Sequence, residues 1–170
     1  MKKLFTLVFA MILISSCEDT ASVEITASTS INESITVEVP QTNGVAVAYD
    51  ETITQDLTQI VSNFNDISDI NIDALSYKFK NVTGNTNAVI ESATIVINGN
   101  TIATISNVNI ALEATNSTVF SITNTAVLDQ LETLFLTNSS VTIQFTGMAI
   151  SDASAVSFEI EVSIDLTATL

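Results

Sequence analysis

Three groups of side chains in this chain carry chemistry by type and spacing. Asp69-Ile70-Asn71-Ile72-Asp73 sets three oxygen-bearing side chains on alternate residues, with Asp66 just before them. Clustered oxygen ligands are what Ca²⁺ takes, so Asp69, Asn71 and Asp73 form a weak cation candidate. An EF-hand loop counted from Asp69 needs Gly at its sixth position and Glu at its twelfth. Ala74 and Lys80 stand there, so that motif fails. Glu159 and Glu161, with Asp165, flank Ser163 near the C-terminus. Paired carboxylates are the equipment of glycoside hydrolysis, but on alternate residues of an open strand face they are solvated, not opposed across a cleft. Lys78 and Lys80 share one strand face, suited to an anionic ligand, to the protection of an edge strand, or to pairing with acids on a neighbouring strand. Tyr49 and Tyr77 are candidate stacking platforms for a sugar, although Tyr77 alternates with Leu75 and Phe79 and reads as core.

What the chain lacks excludes more chemistry than these groups offer. It has no His, no Trp and a single Cys, and its four basic residues are all Lys. The usual zinc sites, Ser-His-Asp triads and Cys-His pairs cannot be assembled from this set. Bidentate arginine clamps are missing as well. Nineteen acidic residues give a formal net charge of −15, and no basic stripe exists to neutralise phosphates. Nucleic-acid binding is excluded on that ground. The expectation is a protein that is not an enzyme and carries no cofactor.

The one cysteine stands in a distinctive setting. Lys2 and Lys3 precede an apolar stretch, residues 4–14, broken only by Thr6, and Ser15-Ser16 lead into Cys17. Charged, apolar, then small is the order of a secretory signal peptide, and the stretch is well short of the roughly 20 apolar residues that span a bilayer. Ile14-Ser15-Ser16-Cys17 resembles the lipobox of bacterial lipoproteins. That resemblance implies cleavage between Ser16 and Cys17 and lipid attachment at Cys17, with two or more acyl chains giving stable anchoring. Glu18 and Asp19 directly after the cysteine resemble the surface-export signal of Bacteroidota lipoproteins, and Asp19-Thr20-Ala21 is similar to the O-glycosylation sequon of that phylum, at Thr20. The implied organisation is a signal peptide over 1–16, a lipidated N-terminus and short tether over 17–21, and one domain over 22–170.

The elements that must position the candidate residues follow from hydrophobic period. Alternation predicts strands over 22–27 and 34–39, separated by polar residues, and Pro40 ends the second. Asn43-Gly44 predicts a hairpin into 45–49. Ile53, Leu57, Ile60, Val61 and Phe64 fall on one helical face, with Asp50 as cap. Period two returns from Asp69, and Asn98-Gly99 is the strongest hairpin signal. Further strands are expected over 108–112 and 118–122, and a second helix carries Val127, Leu128, Leu131, Leu134 and Phe135. Residues 156–166 form the longest amphipathic strand, of a length suited to pairing with a neighbouring molecule.

About nine one-sided strands and two short amphipathic helices predict a mainly β fold, an antiparallel, immunoglobulin-like β-sandwich. A small β-barrel is the alternative. The functional expectation is a non-enzymatic, lipid-anchored envelope or cell-surface β-domain for adhesion, binding or surface structure. It would sit on the outer membrane, at the cell surface or on the periplasmic face, with a protein or glycan partner. The alternative is a carbohydrate-active enzyme or its glycan-binding accessory.

Overall fold

The computed structural model describes residues 26–57 and 67–169. In chain order the elements are β1 (Thr26–Val39), β2 (Val47–Asp56), β3 (Asp69–Gly84), β4 (Val89–Ile97) and β5 (Asn100–Asn109), then α1 (Ile110–Asn116), β6 (Phe120–Ser121), α2 (Thr125–Thr137), β7 (Ser140–Ile150) and β8 (Val156–Thr169).

Asn98-Gly99 is the apex of the whole arrangement. Its φ angles of 46° and 84° are the left-handed pair that a tight hairpin of matching twist requires. From this turn outward the chain pairs antiparallel with itself: β4 with β5, β3 with β6, β2 with β7, and β1 with β8. Rolling up that ribbon adds the lateral pairs β3–β8 and β4–β7. The result is two four-stranded sheets, β1-β8-β3-β6 and β2-β7-β4-β5. They form the sandwich that the alternation predicts, and their strand order is that of the eight-stranded jelly roll.

The core lies between the sheets. On β8, Val156, Phe158, Ile160, Val162, Ile164, Leu166 and Ala168 are all buried, and on β7 Val141, Ile143, Phe145 and Ala149 oppose them. Because β8 lies between β1 and β3, both of its edges are already hydrogen-bonded. It is therefore not free to pair with a neighbour. Leu131 and Phe135 of α2 and Ile110 of α1 are buried. Beside the bulge between Ile72 and Ala74, the Ile72 N–H donates to Glu132 Oε1 on α2 at 2.8 Å.

Four local expectations change. Residues 22–25 of the first expected strand lie outside the described residues; from Thr26 the chain runs without a break into the second as one strand, β1, because Ser28, Ser30 and Asn32 find polar partners across β8 at Thr167, Asp165 and Ser163. Asp50 and Ile53 lie in β2, not in a helix: the β-branched Thr52, Ile53 and Thr54 pair with β7, and tertiary pairing overrides the helical spacing. Ile60, Val61 and Phe64 of that expected helix lie outside the described residues. β5 stops at Asn109, whose side-chain oxygen caps α1 by accepting from Leu112 N at 2.8 Å, so Ile110–Leu112 is helical. Of residues 118–122, only Phe120 and Ser121 pair in a sheet.

Asn43-Gly44 also plays a different part. It forms a tight turn, with φ of 54° and 83°, but β1 and β2 belong to different sheets. The turn is thus a corner between layers. Thr42 N donates to Ser151 O at 3.1 Å, Ser151 N to Thr42 Oγ1 at 2.9 Å, and Thr42 Oγ1 to Asp152 Oδ1 at 2.8 Å.

Candidate functional site

The outer face of the β1-β8-β3 sheet gathers most of the chemistry-bearing residues. Alternation puts them there: the residues between the buried positions of β8 are Ser157, Glu159, Glu161, Ser163, Asp165 and Thr167. Register then sets Lys78 opposite Glu161 and Lys80 opposite Glu159.

Those four charges form one cluster. Lys78 Nζ lies 2.6 Å from Glu161 Oε1, and Lys80 Nζ lies 2.6 Å from Glu161 Oε2 and 3.5 Å from Glu159 Oε2. Hydrogen bonds from Lys78 and Lys80 hold the Glu161 carboxyl below its ordinary range. The bond to Glu161 raises Lys80 in turn. Of the readings of the two lysines, pairing with acids on the neighbouring strand is the one the geometry realises.

The sign of the pH effect follows. A carboxylate whose folded pKa is depressed contributes stability above its unfolded pKa of about 4.3, and that stability is lost as pH falls through the folded value. Replacing Glu161 by Gln should cost about 1 kcal/mol near neutral pH, the scale of a partly exposed ion-pair network. It should also flatten the loss of stability below about pH 5. Urea denaturation of both proteins across this range checks it, and parallel pH profiles would refute the assignment.

Asp69, Asn71 and Asp73 are exposed at the start of β3. Asp73 sits in the bulge between Ile72 and Ala74. Its Oδ1 accepts from Asn71 Nδ2 and its Oδ2 from Thr167 Oγ1, both at 2.7 Å. Thr167 Oγ1 is in turn 3.0 Å from Ser28 Oγ, so the row extends across three strands. Among the described residues, no three His, Cys, Asp or Glu side chains gather closely enough to hold a metal ion.

Both tyrosines face inward. Tyr77 is buried, with its ring stacked on Phe120 at 4.8 Å and 10° between planes. Tyr49 is 7% exposed, and its ring lies 5.1 Å from that of Phe145. Among the described residues, the Tyr49 hydroxyl has no hydrogen-bond partner. Burial raises its phenol above the ordinary value. A buried, unpaired hydroxyl is costly, so Tyr49→Phe should stabilise the fold by about 1 kcal/mol. A lower denaturation midpoint for the variant would show that the hydroxyl is satisfied in solution.

Sequence reasoning missed a second polar group, at the corner where three crossovers meet. Thr42, Asn85 and Ser151 are buried there. Asn85 Nδ2 donates to Ser151 Oγ at 3.0 Å, and Ser151 Oγ to Ser154 O at 2.6 Å. No local signal marks these residues, because residues 42, 85 and 151 meet only once the ribbon is rolled. Beside them lies a shallow cleft of about 560 Å³, lined by Glu38, Pro40, Thr83, Gly84 and Ser157. It carries one carboxylate, Glu38, where acid–base work on a glycoside takes two.

Ser16, Cys17 and Thr20 lie outside the described residues. Among the described residues, no helix is long and apolar enough to cross a membrane.

No family model matches the chain. No curated protein matches it either. Among solved structures it is similar to the decameric BFDV capsid protein, with 8% identity and a TM-score of 0.39 over 85% of this chain and 99% of that one. That likeness assigns no function.

Proposed function

We propose that this chain is a lipid-anchored, non-enzymatic β-sandwich domain of a bacterial envelope, exposed at the cell surface and serving in adhesion, binding or surface structure. The anchor is Cys17, with cleavage after Ser16, as the likeness of residues 14–17 to a lipobox implies. Thr20 is a glycosylation point in the short tether. The single observation that best supports a non-catalytic role is the state of the acid pair. Glu161 accepts from Lys78 and Lys80, both at 2.6 Å, and is held ionised by them. A general acid needs a raised pKa and an open approach to its substrate. Both tyrosine rings are likewise spent on the core.

Proteinase K treatment of intact cells tests the placement, with Cys17→Ala as the control for anchoring. Trypsin suits this poorly, since Lys78 and Lys80 are the only lysines beyond the leader. Degradation on intact cells, with release of the Cys17→Ala protein from the membrane fraction, is the expected result. Protection until the outer membrane is opened would overturn the surface placement. Unchanged membrane association of Cys17→Ala would overturn the lipid anchor.

A further inference from the structure

The chain contains two Asn-Gly pairs in the same kind of turn, Asn43-Gly44 and Asn98-Gly99, with φ angles of 54° and 83° in one and 46° and 84° in the other. Their surroundings differ. Asn98 is half-buried, and both ends of its side-chain amide are held by β7: Thr142 N donates to Oδ1 at 2.7 Å, and Nδ2 donates to Ser140 O at 3.3 Å. Asn43 is exposed, and its side chain has no hydrogen-bond partner among the described residues. The Gly44 N–H donates to the Asp152 carboxylate, so a proton acceptor already sits on that nitrogen.

We propose that Asn43 is a self-modification site, at which water converts the asparagine to aspartate and isoaspartate, while Asn98 is protected by its clamp. The Gly44 nitrogen gives up its proton and attacks Cγ of Asn43. A Cγ–N bond forms, the Cγ–Nδ2 bond breaks, and Nδ2 leaves as ammonia. Water then opens the five-membered imide at either carbonyl. One carbonyl yields aspartate and the other isoaspartate. The balance is one water consumed and one ammonia released, with no oxidant or cofactor. Glycine at the following position matters because it carries no side chain to hinder the approach.

At Asn98 the same attack requires Cγ to swing onto Gly99 N, which breaks both bonds to β7. The two sites share dipeptide and turn, so the clamp and the burial are what separate their rates. Conversion adds one negative charge at the corner between β1 and β2. The isoaspartate form also lengthens the main chain there, in the turn that Thr42 and Asp152 hold together.

The test is to incubate the folded protein in warm, mildly alkaline buffer and digest it after Glu. Cuts at Glu38 and Glu51 release the peptide with Asn43, and cuts at Glu91 and Glu113 release the one with Asn98. Fragmentation mass spectrometry then locates the amide-to-acid change among the asparagines of each peptide. Conversion at Asn43 at least about tenfold faster than at Asn98 is expected, a ratio equal to 1.4 kcal/mol in barrier. In urea-unfolded protein the two rates should become equal, since the clamp is gone. Equal rates in the folded protein would overturn the proposal, and so would an undiminished difference after unfolding. Asn43→Gln should abolish the signal in the first peptide and leave the second unchanged. Persistence of the first signal would overturn the assignment to Asn43.

Discussion

Phe158→Ala should destabilise the protein by about 3–5 kcal/mol, the cost of truncating a fully buried aromatic and leaving a cavity. Phe158 is 0% exposed on β8, one of the two interior strands of its sheet. Its ring lies 6.0 Å from that of Phe79 on the neighbouring strand β3. It also lies 6.4 Å from Phe145 on β7, in the opposite sheet. Both contacts are edge-to-face at 63° and 84°, the arrangement that favours a ring's positive edge against a neighbour's negative face. Phe158 is thus a ring that joins the two layers, through Phe145. Collapse to fill the gap is hindered, because both sheets are held by ladders that would have to bend. For a domain of this length the loss corresponds to a fall in melting temperature of about 6–20 °C. Phe158→Leu, which keeps most of the volume, should cost markedly less. A loss below 1 kcal/mol for Phe158→Ala in urea titration would mean that the layers do not meet at this ring.

Gly147→Ala should cost about 3 kcal/mol, an unusually large penalty for one added methyl. A Cβ at residue 147 would lie 2.3 Å from the Ser92 carbonyl oxygen, and 2.7 Å from both Ala93 Cβ and the Tyr49 hydroxyl. The backbone at Gly147 imposes no left-handed φ, so the penalty is one of space alone. The close approach has a cause in the sheet. β4 shifts register between Ile90 and Ser92 where it pairs with β7, which sets the Ser92 carbonyl against Gly147. On the other side, Tyr49 pairs with Gly147 across β2 and β7 and needs the bare backbone to reach Phe145. Adding Tyr49→Phe to Gly147→Ala should recover only the part due to the hydroxyl, because the Ser92 main chain stays in place. Full recovery in the double variant would assign the whole penalty to Tyr49 and refute the part given to Ser92. A neutral Gly147→Ala would refute the packing altogether.

Much of the fold was legible locally. The alternation from Val156 to Leu166 named every buried residue of β8 except Ala168, because period two leaves one strand face for the core. The spacing of Leu131, Leu134 and Phe135 likewise marked α2, and Leu131 and Phe135 are its buried residues. Residues 50–56 misled because Ile53 and Leu57 satisfy a helical spacing, while the β-branched Thr52, Ile53 and Thr54 also suit a strand. The cross-strand partners Thr142, Ile143 and Gln144 decided between the two. The α1 start was also ambiguous, since Val108, Ile110 and Leu112 alternate as a strand would. The Asn109 cap turns the chain into a helix there.

The candidate residues divide in the same way. Composition alone removed histidine, arginine and thiol-pair chemistry, since no fold can supply side chains that are not in the chain. The position of Asn98-Gly99 also set the centre of the pairing, because only such a turn lets two strands separated by two residues hydrogen-bond with matching twist. Local pattern, however, says nothing about which strands become neighbours when the ribbon rolls up. That step placed Lys78 and Lys80 against Glu159 and Glu161, turned Tyr49 and Tyr77 into the core, and made Asn43-Gly44 a corner, not a hairpin. It also buried Thr42, Asn85 and Ser151 against one another. These are contacts between residues far apart in the chain, set by burying one face of each sheet on the other, so they became visible only in the tertiary structure.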